Sequence, residues 1–359
     1  MKRIAIVTHN MYGGGCERVI AELANWFVDN HSHCTIITEY EGPCFYHLKS
    51  EVNLLALSQE RQKSGIDIVK SYIKLRKMMM ELKPDIILAM PDKVNIWTAL
   101  SLIGSGIPVV VSERNNPAIY PISKIKRLLR EPAYRLATKG VIFQTTDAKS
   151  YFSDTIQKKG IVLMNPLDMK RIPEINTGMR NKEVVSVGRL EKQKNFHLLI
   201  EAFSEFQKVH QDYILTIYGE GSMKDELERY AREKLISNSF SFPGKRSDVL
   251  SLIRNAGIFV LSSDYEGMPN ALIEAMALGL PVISTDCPIG GPRELIRDRD
   301  NGMLISVGGK EALVSALLEI VGNKELERKI SRNALEIRGK LEINKIAVQW
   351  MDFLNSLVN

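Results

Sequence analysis

The sequence has few of the features that mark exported or membrane-spanning proteins. Its four cysteines, Cys16, Cys34, Cys44 and Cys287, are scattered without a CxxC pair or a metal-ligand spacing, and we expect reduced, cytosolic thiols. No apolar run approaches the roughly 18 residues of a membrane span. The basic start MKR leads into a run of only five small or apolar residues, too short for the core of a secretory signal. These absences predict a protein that is soluble, or at most peripheral to a membrane.

Length and charge limit the organisation and the partners. A chain of 359 residues has room for two domains, because single hydrophobic cores stop growing near roughly 250–300 residues. Residues 1–178 carry 24 of the 48 Lys and Arg residues but only 17 of the 42 Asp and Glu residues. The first half is therefore net basic (24 − 17 = +7) and the second half slightly acidic (24 − 25 = −1). This asymmetry indicates an anionic partner on the N-terminal half.

Residues 122–139 concentrate much of that positive charge beside apolar residues. The pattern fits a basic amphipathic surface resting on anionic lipid, and it fits equally a solvated helix face, with Pro132 interrupting its regularity. The cations are Lys124, Lys126, Arg127, Arg130, Arg135 and Lys139, and the apolar neighbours are Ile125, Leu128 and Leu129.

Short β-rich runs alternate with helical patterns in both halves, which predicts α/β domains with doubly wound parallel sheets. We expect two Rossmann-like domains that face each other across a cleft, with ligands beyond the carboxyl ends of the strands. The domains are predicted at 1–170 and 182–340, with a linker at 171–181 and a C-terminal helix at 341–359 that packs back toward the N-terminal domain. Strands are expected at 3–8, 34–38, 85–90, 109–112, 141–144, 161–164, 184–187, 214–218, 240–242, 258–262, 282–285 and 303–306.

Two glutamates eight residues apart, Glu266 and Glu274, form the most informative block. Pro269 suits a helix start and Gly279 a helix exit, so a helix is predicted over roughly 269–278. Glu266 then lies on the entering loop, and Glu274 lies among small apolar residues where an unpaired charge is costly. A vicinal diol such as a ribose would supply two hydroxyl donors to Glu274. The alternative is an ordinary solvated helix residue.

Other strand ends carry residues suited to phosphate. Gly14 and Gly15 follow the first strand and precede a helix, whose N-terminus favours anions, although the spacing is not GxGxxG. The segment SVGRLEKQKN contains Arg189 and Lys194. Arg189 would bind a diphosphate through two parallel hydrogen bonds of its guanidinium, and Lys194 through its compact positive charge. The alternative is that both are surface charges of a loop. Gly219 follows a later strand. The amides near the helix start at 268–270 also suit phosphate oxygens.

Taken together, VGRLEKQKN, IYGEGSMKDEL, FPGKRSDV and the Glu266–Glu274 block resemble the large family of retaining glycosyltransferases with the two-Rossmann GT-B fold, often called family 4. The resemblance spans nearly the whole chain. SERNNP at 112–117, FQT at 143–145 and MNP at 164–166 look like a subgroup that assembles polysaccharide, O-antigen, capsule or lipid-linked oligosaccharide.

The resemblance implies roles for individual residues. Glu266 would act at the donor sugar and Glu274 would bind the ribose, while no metal is expected because cations and helix termini can stabilise the leaving diphosphate. Many members have His where this chain has Arg114, so Arg114 would contact the sugar as a permanent cation, with Glu113 a second candidate. The predicted nucleotide-sugar contacts are Gly14, Gly15, Arg189, Lys194, Gly219, Lys245, Arg246, Gly267, Met268, Pro269, Asn270 and Glu274.

Three functions follow as hypotheses. The first is a hexosyl- or N-acetylhexosaminyltransferase that uses a nucleotide sugar, most simply UDP-linked, to extend a lipid-pyrophosphate-linked glycan at the cytoplasmic face of the membrane. The second is a UDP-sugar epimerase or hydrolase on the same scaffold. The third is a nucleotide-sugar-binding or nucleic-acid-binding protein without turnover, suggested only by the basic half, whose charges are not interleaved with aromatics as single-strand binding favours.

Overall fold

The computed structural model describes residues 1–60 and 65–358. The chain divides into two compact units. The first comprises residues 1–166 together with 343–359, and the second comprises residues 167–342. Four residues of the first unit, 61–64, and the last residue lie outside the described part.

The first unit is an α/β layer structure around one parallel sheet. The sheet has the order β3-β2-β1-β4-β5-β6-β7. Its strands are β1 Arg3–Thr8, β2 His33–Thr38, β3 Val52–Ala56, β4 Ile86–Ala89, β5 Val109–Ser112, β6 Gly140–Phe143 and β7 Gly160–Val162. Its helices are α1 Gly15–Asp29, α2 Gly65–Leu82, α3 Asp92–Ser101, α4 Lys124–Ala137, α5 Thr146–Ser150 and α6 Asp154–Lys158.

The second unit repeats the plan with a six-stranded parallel sheet of order β10-β9-β8-β11-β12-β13. Its strands are β8 Glu183–Val187, β9 Ile214–Tyr218, β10 Phe240–Gly244, β11 Ile258–Leu261, β12 Val282–Thr285 and β13 Met303–Ile305. Its helices are α7 Phe196–Gln207, α8 Lys224–Lys234, α9 Val249–Ile253, α10 Asn270–Ala277, α11 Gly291–Leu295, α12 Lys310–Gly322, α13 Lys324–Ala334 and α14 Ile337–Lys340. Short 3-10 turns occur at Met169–Arg171 and Lys192–Lys194.

The last helix, α15 Ile343–Ser356, belongs to the first unit. It buries Ile346, Ala347, Trp350 and Leu354, and Trp26 of α1 donates a hydrogen bond of 2.9 Å to Asn344. The domain limits drawn from the sequence stay predictions. Residues 167–181 are grouped with the second unit.

Periodicity and apolar runs predicted the architecture well. The parallel α/β sheets are confirmed, and β1, β5, β9 and β12 have the predicted bounds. One strand, β3, was missed because it lies at the sheet edge and exposes most of its residues. Its Leu54 and Leu55 give no inward-facing alternation for a pattern to detect.

Strand order locates the functional edge of each sheet. In the first unit the order reverses between β1 and β4, and in the second between β8 and β11. Ligands of open α/β sheets bind beyond the carboxyl ends of the strands at such switch points. The loops after these four strands are therefore the first places to look for a site.

Candidate functional site

The loops after β8 and β11 are bound to one another at the switch point of the second unit. The Ser262 hydroxyl donates to the Lys194 carbonyl at 2.9 Å, and the Gln193 side chain donates to the Tyr265 carbonyl at 2.8 Å. The Asp264 amide donates to the Gln193 carbonyl at 2.9 Å. These bonds fix the two loops together, and side chains that follow different strands therefore lie side by side.

Lys194 and Glu266 meet in this arrangement. The Lys194 ammonium donates to Oε1 of Glu266 at 2.5 Å, and the Ser263 hydroxyl donates to the same oxygen at 2.7 Å. The two charged side chains are only 14% and 10% exposed. An ammonium has three donors, so Lys194 retains hydrogen-bonding capacity beyond this pair.

Two glycine contacts explain why the surrounding loops approach so closely. A Cβ at Gly219, whose φ is +151°, would lie 1.8 Å from the Gly188 carbonyl oxygen. A Cβ at Gly291 would lie 1.6 Å from the Gly267 carbonyl oxygen. Both positions therefore exclude any side chain, and they hold the backbone at Gly188 and Gly267 in place.

The predicted helix after Pro269 is confirmed as α10. Pro269 lies just before the first helical residue, and no side chain caps the helix. At the other end Gly279 adopts a φ of +67°, and the Leu280 and Gly279 amides donate to the carbonyls of Ala275 and Met276. This is a Schellman termination. Met268 is buried at the helix entrance and Asn270 is partly exposed.

Glu274 is buried on α10, at 6% exposure, and it faces a cation that the sequence did not indicate. Arg171 lies with a guanidinium nitrogen 3.8 Å from Oε1 of Glu274. The expectation that this carboxylate needs a partner is therefore met in part by the chain itself. Arg171 was missed because it falls in the segment interpreted as a linker, which shows neither helical nor strand periodicity.

Three further predicted cations lie at the surface. Arg189 is exposed after β8, and its charge adds to two hydrogen bonds from Ser222 in lowering the pKa of Glu191. Arg246 forms a bidentate ion pair with Asp248, with both distances 3.0 Å. Lys245 is exposed. The structure thus brings Lys194, Glu266 and their loop partners together, but it gives Arg246 a partner of its own.

In the first unit, the glycine loop follows β1 as predicted. Gly13 has a φ of +102°, Gly14 is the N-cap of α1 and Gly15 its first residue. The Tyr46 hydroxyl donates to the Gly14 carbonyl at 3.0 Å. The loop therefore presents a helix N-terminus at the switch point between β1 and β4.

Arg114 follows β5 and is 9% exposed. Its backbone amide donates to Oδ1 of Asp92 at 3.3 Å, and its guanidinium donates to Oδ1 of Asn165 at 2.6 Å. The guanidinium carbon lies 5.9 Å from the centre of the Trp350 ring. Burial lowers the pKa of Arg114, because desolvation disfavours the charged form.

Glu113 is turned inward beside Arg114. The Tyr134 hydroxyl donates to its Oε1, and Arg130 lies 3.3 Å from its Oε2. Burial, reinforced by the negative charge of Asp92, raises the pKa of Glu113 to about 8. Tyr134 and Arg130 both belong to α4, so Glu113 fastens that helix to the end of β5. This makes Glu113 a buried structural group rather than one presented to a substrate.

The outer side of α4 and the residues before it expose large aliphatic side chains. These are Ile122 at 67%, Ile125 at 71%, Leu128 at 79%, Leu129 at 49% and Leu136 at 77% exposure. We call this group the α4 apolar face. Lys124, Lys126, Arg135 and Lys139 are exposed beside it. No helix within residues 1–60 and 65–358 combines the length and hydropathy needed to cross a bilayer.

Known proteins are similar to this chain in sequence. Residues 169–337 match the model of the glycosyl transferases group 1 family. The whole chain aligns at 27% identity with the whole of the GalNAc-α-(1→4)-GalNAc-α-(1→3)-diNAcBac-PP-undecaprenol α-1,4-N-acetyl-D-galactosaminyltransferase of Campylobacter jejuni. It also aligns at 25% identity, over 87% of this chain and 86% of the relative, with the UDP-Gal:α-D-GlcNAc-diphosphoundecaprenol α-1,3-galactosyltransferase of Escherichia coli.

Solved structures share the fold of this chain. Anabaena HepE, solved in complex with UDP and glucose, superposes with a TM-score of 0.87 at 18% sequence identity, over 99% of this chain and 100% of that one. The chain is a GT-B glycosyltransferase. The glycosyltransferase thus has its family-model match on the unit that contains Lys194, Glu266 and Glu274.

Proposed function

We propose that the protein is a retaining glycosyltransferase that moves a hexose or N-acetylhexosamine from a UDP-sugar to a lipid-pyrophosphate-linked glycan. Support for the acceptor comes from the Campylobacter jejuni and Escherichia coli relatives, whose names specify acceptors linked to undecaprenol by a diphosphate. Support for UDP comes from the donor named for the Escherichia coli enzyme and from the UDP complex of HepE. The relatives are transferases, which disfavours the epimerase, hydrolase and non-catalytic alternatives.

The observation that carries the proposal is the Lys194–Glu266 pair at the switch point of the second sheet. Lys194 would give its remaining donors to the diphosphate, and Glu266 would accept a hydroxyl of the donor sugar. Arg189 and the amides of Gly267, Met268 and Asn270 at the start of α10 would add positive potential where the leaving group gains charge. In the first unit, the helix N-terminus at Gly14 and Gly15 would also meet phosphate oxygens.

Glu274 is proposed as the ribose partner, with Arg171 orienting its carboxylate. The Arg171 guanidinium, 3.8 Å away, gives the buried carboxylate a cationic neighbour, and carboxylate oxygens can accept further hydrogen bonds from hydroxyl donors. Arg171 does not occupy every hydrogen-bond acceptor position of the Glu274 carboxylate at this distance, so the carboxylate could still bind the diol of a nucleoside.

Turnover is proposed to need no divalent metal, since the cations named above can neutralise the leaving diphosphate. Addition of EDTA should therefore leave the initial rate unchanged. A rate that falls on chelation and recovers with Mg²⁺ or Mn²⁺ would contradict this part of the proposal.

A donor panel tests the function directly. UDP-glucose, UDP-galactose and their N-acetylamino forms would each be offered with a short-chain prenyl-diphosphate-linked sugar, and release of UDP and formation of product would be followed separately. We expect one donor to give acceptor-dependent product with retained anomeric configuration. UDP release without glycosylated acceptor would indicate a hydrolase.

Calorimetry with UDP tests the nucleotide half. Glu274→Ala should weaken UDP binding at least tenfold, because both the diol partner and the Arg171 contact are lost. The matched control is Glu311→Ala, since the Glu311 side chain is 87% exposed on α12. Equal UDP affinity in Glu274→Ala and the parent would remove Glu274 from the ribose site.

Peripheral binding to the inner face of an anionic membrane is also part of the proposal. The α4 apolar face is large for an isolated helix surface, and its lysine and arginine neighbours suit anionic headgroups. Leu128→Glu should abolish sedimentation with phosphatidylglycerol vesicles, whereas Ile73→Glu, at a residue 66% exposed on α2, should not. Equal sedimentation of the two variants would contradict the assignment of this face.

A further inference from the structure

A pocket in the first unit lies beside β3, the strand at one edge of the sheet. It has a volume of about 300 Å³, at the lower end of the range for small-molecule sites. Its floor and walls come from the segments that follow β1 and β2 and from the edge strand β3. The lining residues are Met11, Tyr12, Thr38, Tyr40, Glu41, Gly42, Leu54, Leu55 and Ala56.

Two tyrosine rings form the aromatic wall of this pocket. The rings of Tyr12 and Tyr40 meet edge to face, with their centres 5.9 Å apart. His9 packs against the other side of Tyr40 at 5.3 Å, and its Nδ1 is held by Glu39 at 2.6 Å. The His9–Glu39 pair therefore fixes the position of Tyr40.

Tyr12 is held just as firmly. Its hydroxyl donates to the Glu41 carbonyl at 3.2 Å, and its ring lies so close to Gly42 that a Cβ there would come within 2.1 Å of it. Tyr12 is nevertheless 39% exposed. A ring that is fixed by backbone contacts and still open to solvent is preorganised to stack on a ligand.

The pocket is continuous with the glycine loop. Met11 and Tyr12 precede Gly13, and the Phe45 amide donates to the Met11 carbonyl at 2.9 Å. The Tyr46 hydroxyl reaches the Gly14 carbonyl. The segment after β2 that forms one wall is thus tied to the loop after β1, and the pocket adjoins the carboxyl edge of the sheet where ligands bind.

The chemistry of the lining selects among ligands. Exposed aromatic faces pack against the apolar C–H faces of a pyranose, while carboxylates and hydroxyls bind its hydroxyl groups. Nucleotides also stack on tyrosine, but the described lining residues include one acidic residue, Glu41, and neither lysine nor arginine. Binding of a phosphorylated ligand favours basic residues instead.

We propose that this pocket is a subsite for a neutral sugar unit of the acceptor glycan, stacked on Tyr12 and hydrogen-bonded to Glu41. The proposal rests on the proposed function, because it assumes a carbohydrate acceptor. It assigns to Tyr12 and Tyr40 a role in acceptor recognition that is separate from binding of the nucleotide.

Acceptor kinetics test the subsite. Tyr12→Ala should raise the KM for a prenyl-diphosphate-linked disaccharide at least tenfold and leave the KM for the UDP-sugar within twofold of the parent. Tyr12→Phe retains the ring and should stay near the parent value. Tyr151→Ala, at a tyrosine 47% exposed elsewhere in the same unit, is the matched control and should change neither constant.

Saturation-transfer NMR with the intact protein separates this proposal from the proposed function. The probes are the methyl glycosides of galactose, N-acetylglucosamine and N-acetylgalactosamine, with UDP binding measured by calorimetry on the same samples. We expect transfer to at least one glycoside in the parent and its loss in Tyr12→Ala with UDP affinity unchanged. Absence of transfer to all three glycosides, or transfer that persists in Tyr12→Ala, would overturn the subsite. Failure to bind UDP with intact glycoside binding would instead count against the proposed function.

Discussion

Lys194→Met is the sharpest perturbation of the candidate site, because it removes a charge and keeps most of the side-chain volume. Lys194 contacts Glu266 at 2.5 Å, and the two side chains are 14% and 10% exposed. Loss of the ammonium leaves the Glu266 carboxylate, within the described part of the chain, with the hydrogen bond from Ser263. Lys194→Met should therefore destabilise the second unit and also remove the proposed contact with the diphosphate.

The expected size follows from burial. Breaking a fully buried ion pair costs about 3–5 kcal/mol, whereas exposed pairs contribute about 0.2–1 kcal/mol. Both side chains here lie closer to the buried limit, so Lys194→Met should cost about 2–4 kcal/mol. Adding Glu266→Gln removes the uncompensated charge, and the double variant should recover about 1–3 kcal/mol relative to the sum of the single changes.

The distribution of tryptophan supplies an internal control. Trp26, Trp97 and Trp350 are the three tryptophans of the chain, and all lie in the first unit. During urea unfolding, Lys194→Met should shift the transition seen by circular dichroism while the transition seen by tryptophan fluorescence stays in place, provided the units unfold independently. UDP affinity should fall at least tenfold. Additive effects of Lys194→Met and Glu266→Gln, with no coupling free energy, would refute the ion pair as a stabilising contact.

Three other outcomes are expected. Gly219→Ala should lower the stability of the second unit by at least about 2 kcal/mol, because overpacking adds to an unfavourable φ, whereas Gly322→Ala has open space around it and should be neutral in the same urea titration. Arg114→Ala should lower turnover at least tenfold, and near-normal kinetics would exclude Arg114 from the reaction. The raised pKa of Glu113, about 8, means that the folded state holds a proton which the unfolded state releases above its ordinary pKa. That stabilisation is lost as pH rises through about 8, so the melting temperature of the parent should fall between pH 5.5 and 8.5. Glu113→Gln should make this fall smaller. Parallel curves of melting temperature against pH for the parent and the variant would contradict the raised pKa of Glu113.

The sequence predicted the sheets more completely than it predicted the contacts among the candidate site residues. Parallel strands are buried on both faces, so their apolar runs are visible in the sequence, and the exposed edge strand β3 was the one that escaped. Pro269 and Gly279 bounded α10 because each has a backbone preference that acts locally. The partner of Glu274 was not predictable in this way, since Arg171 lies 103 positions earlier in the numbering (274 − 171) in a segment without a period.

Local chemistry also could not show which predicted cations would already be paired. Arg246 and Asp248 are two positions apart, and their bidentate pair was a local possibility that the resemblance to a binding motif obscured. Lys194 and Glu266 are paired across 72 positions, which depends on the bonds between the loops after β8 and β11. Loop geometry, rather than residue type, therefore decides which charges are presented together.

The pairing of Glu266 narrows the chemistry that it can perform. The hydrogen bonds that its side chain accepts from Lys194 and Ser263 both end on Oε1. We therefore propose Oε2 as the oxygen that contacts the donor sugar. Because Oε1 already accepts from the Lys194 ammonium and the Ser263 hydroxyl, we propose that Glu266 serves as a hydrogen-bond acceptor and not as the base of the reaction. The geometry of Glu266 suits a hydrogen-bond acceptor that orients one hydroxyl of the donor sugar. The Lys194 ammonium, held beside it, would then lie next to the departing diphosphate. We therefore propose that Glu266 and Lys194 act together, with the carboxylate positioning the donor sugar and the lysine stabilising the negative charge of the departing diphosphate.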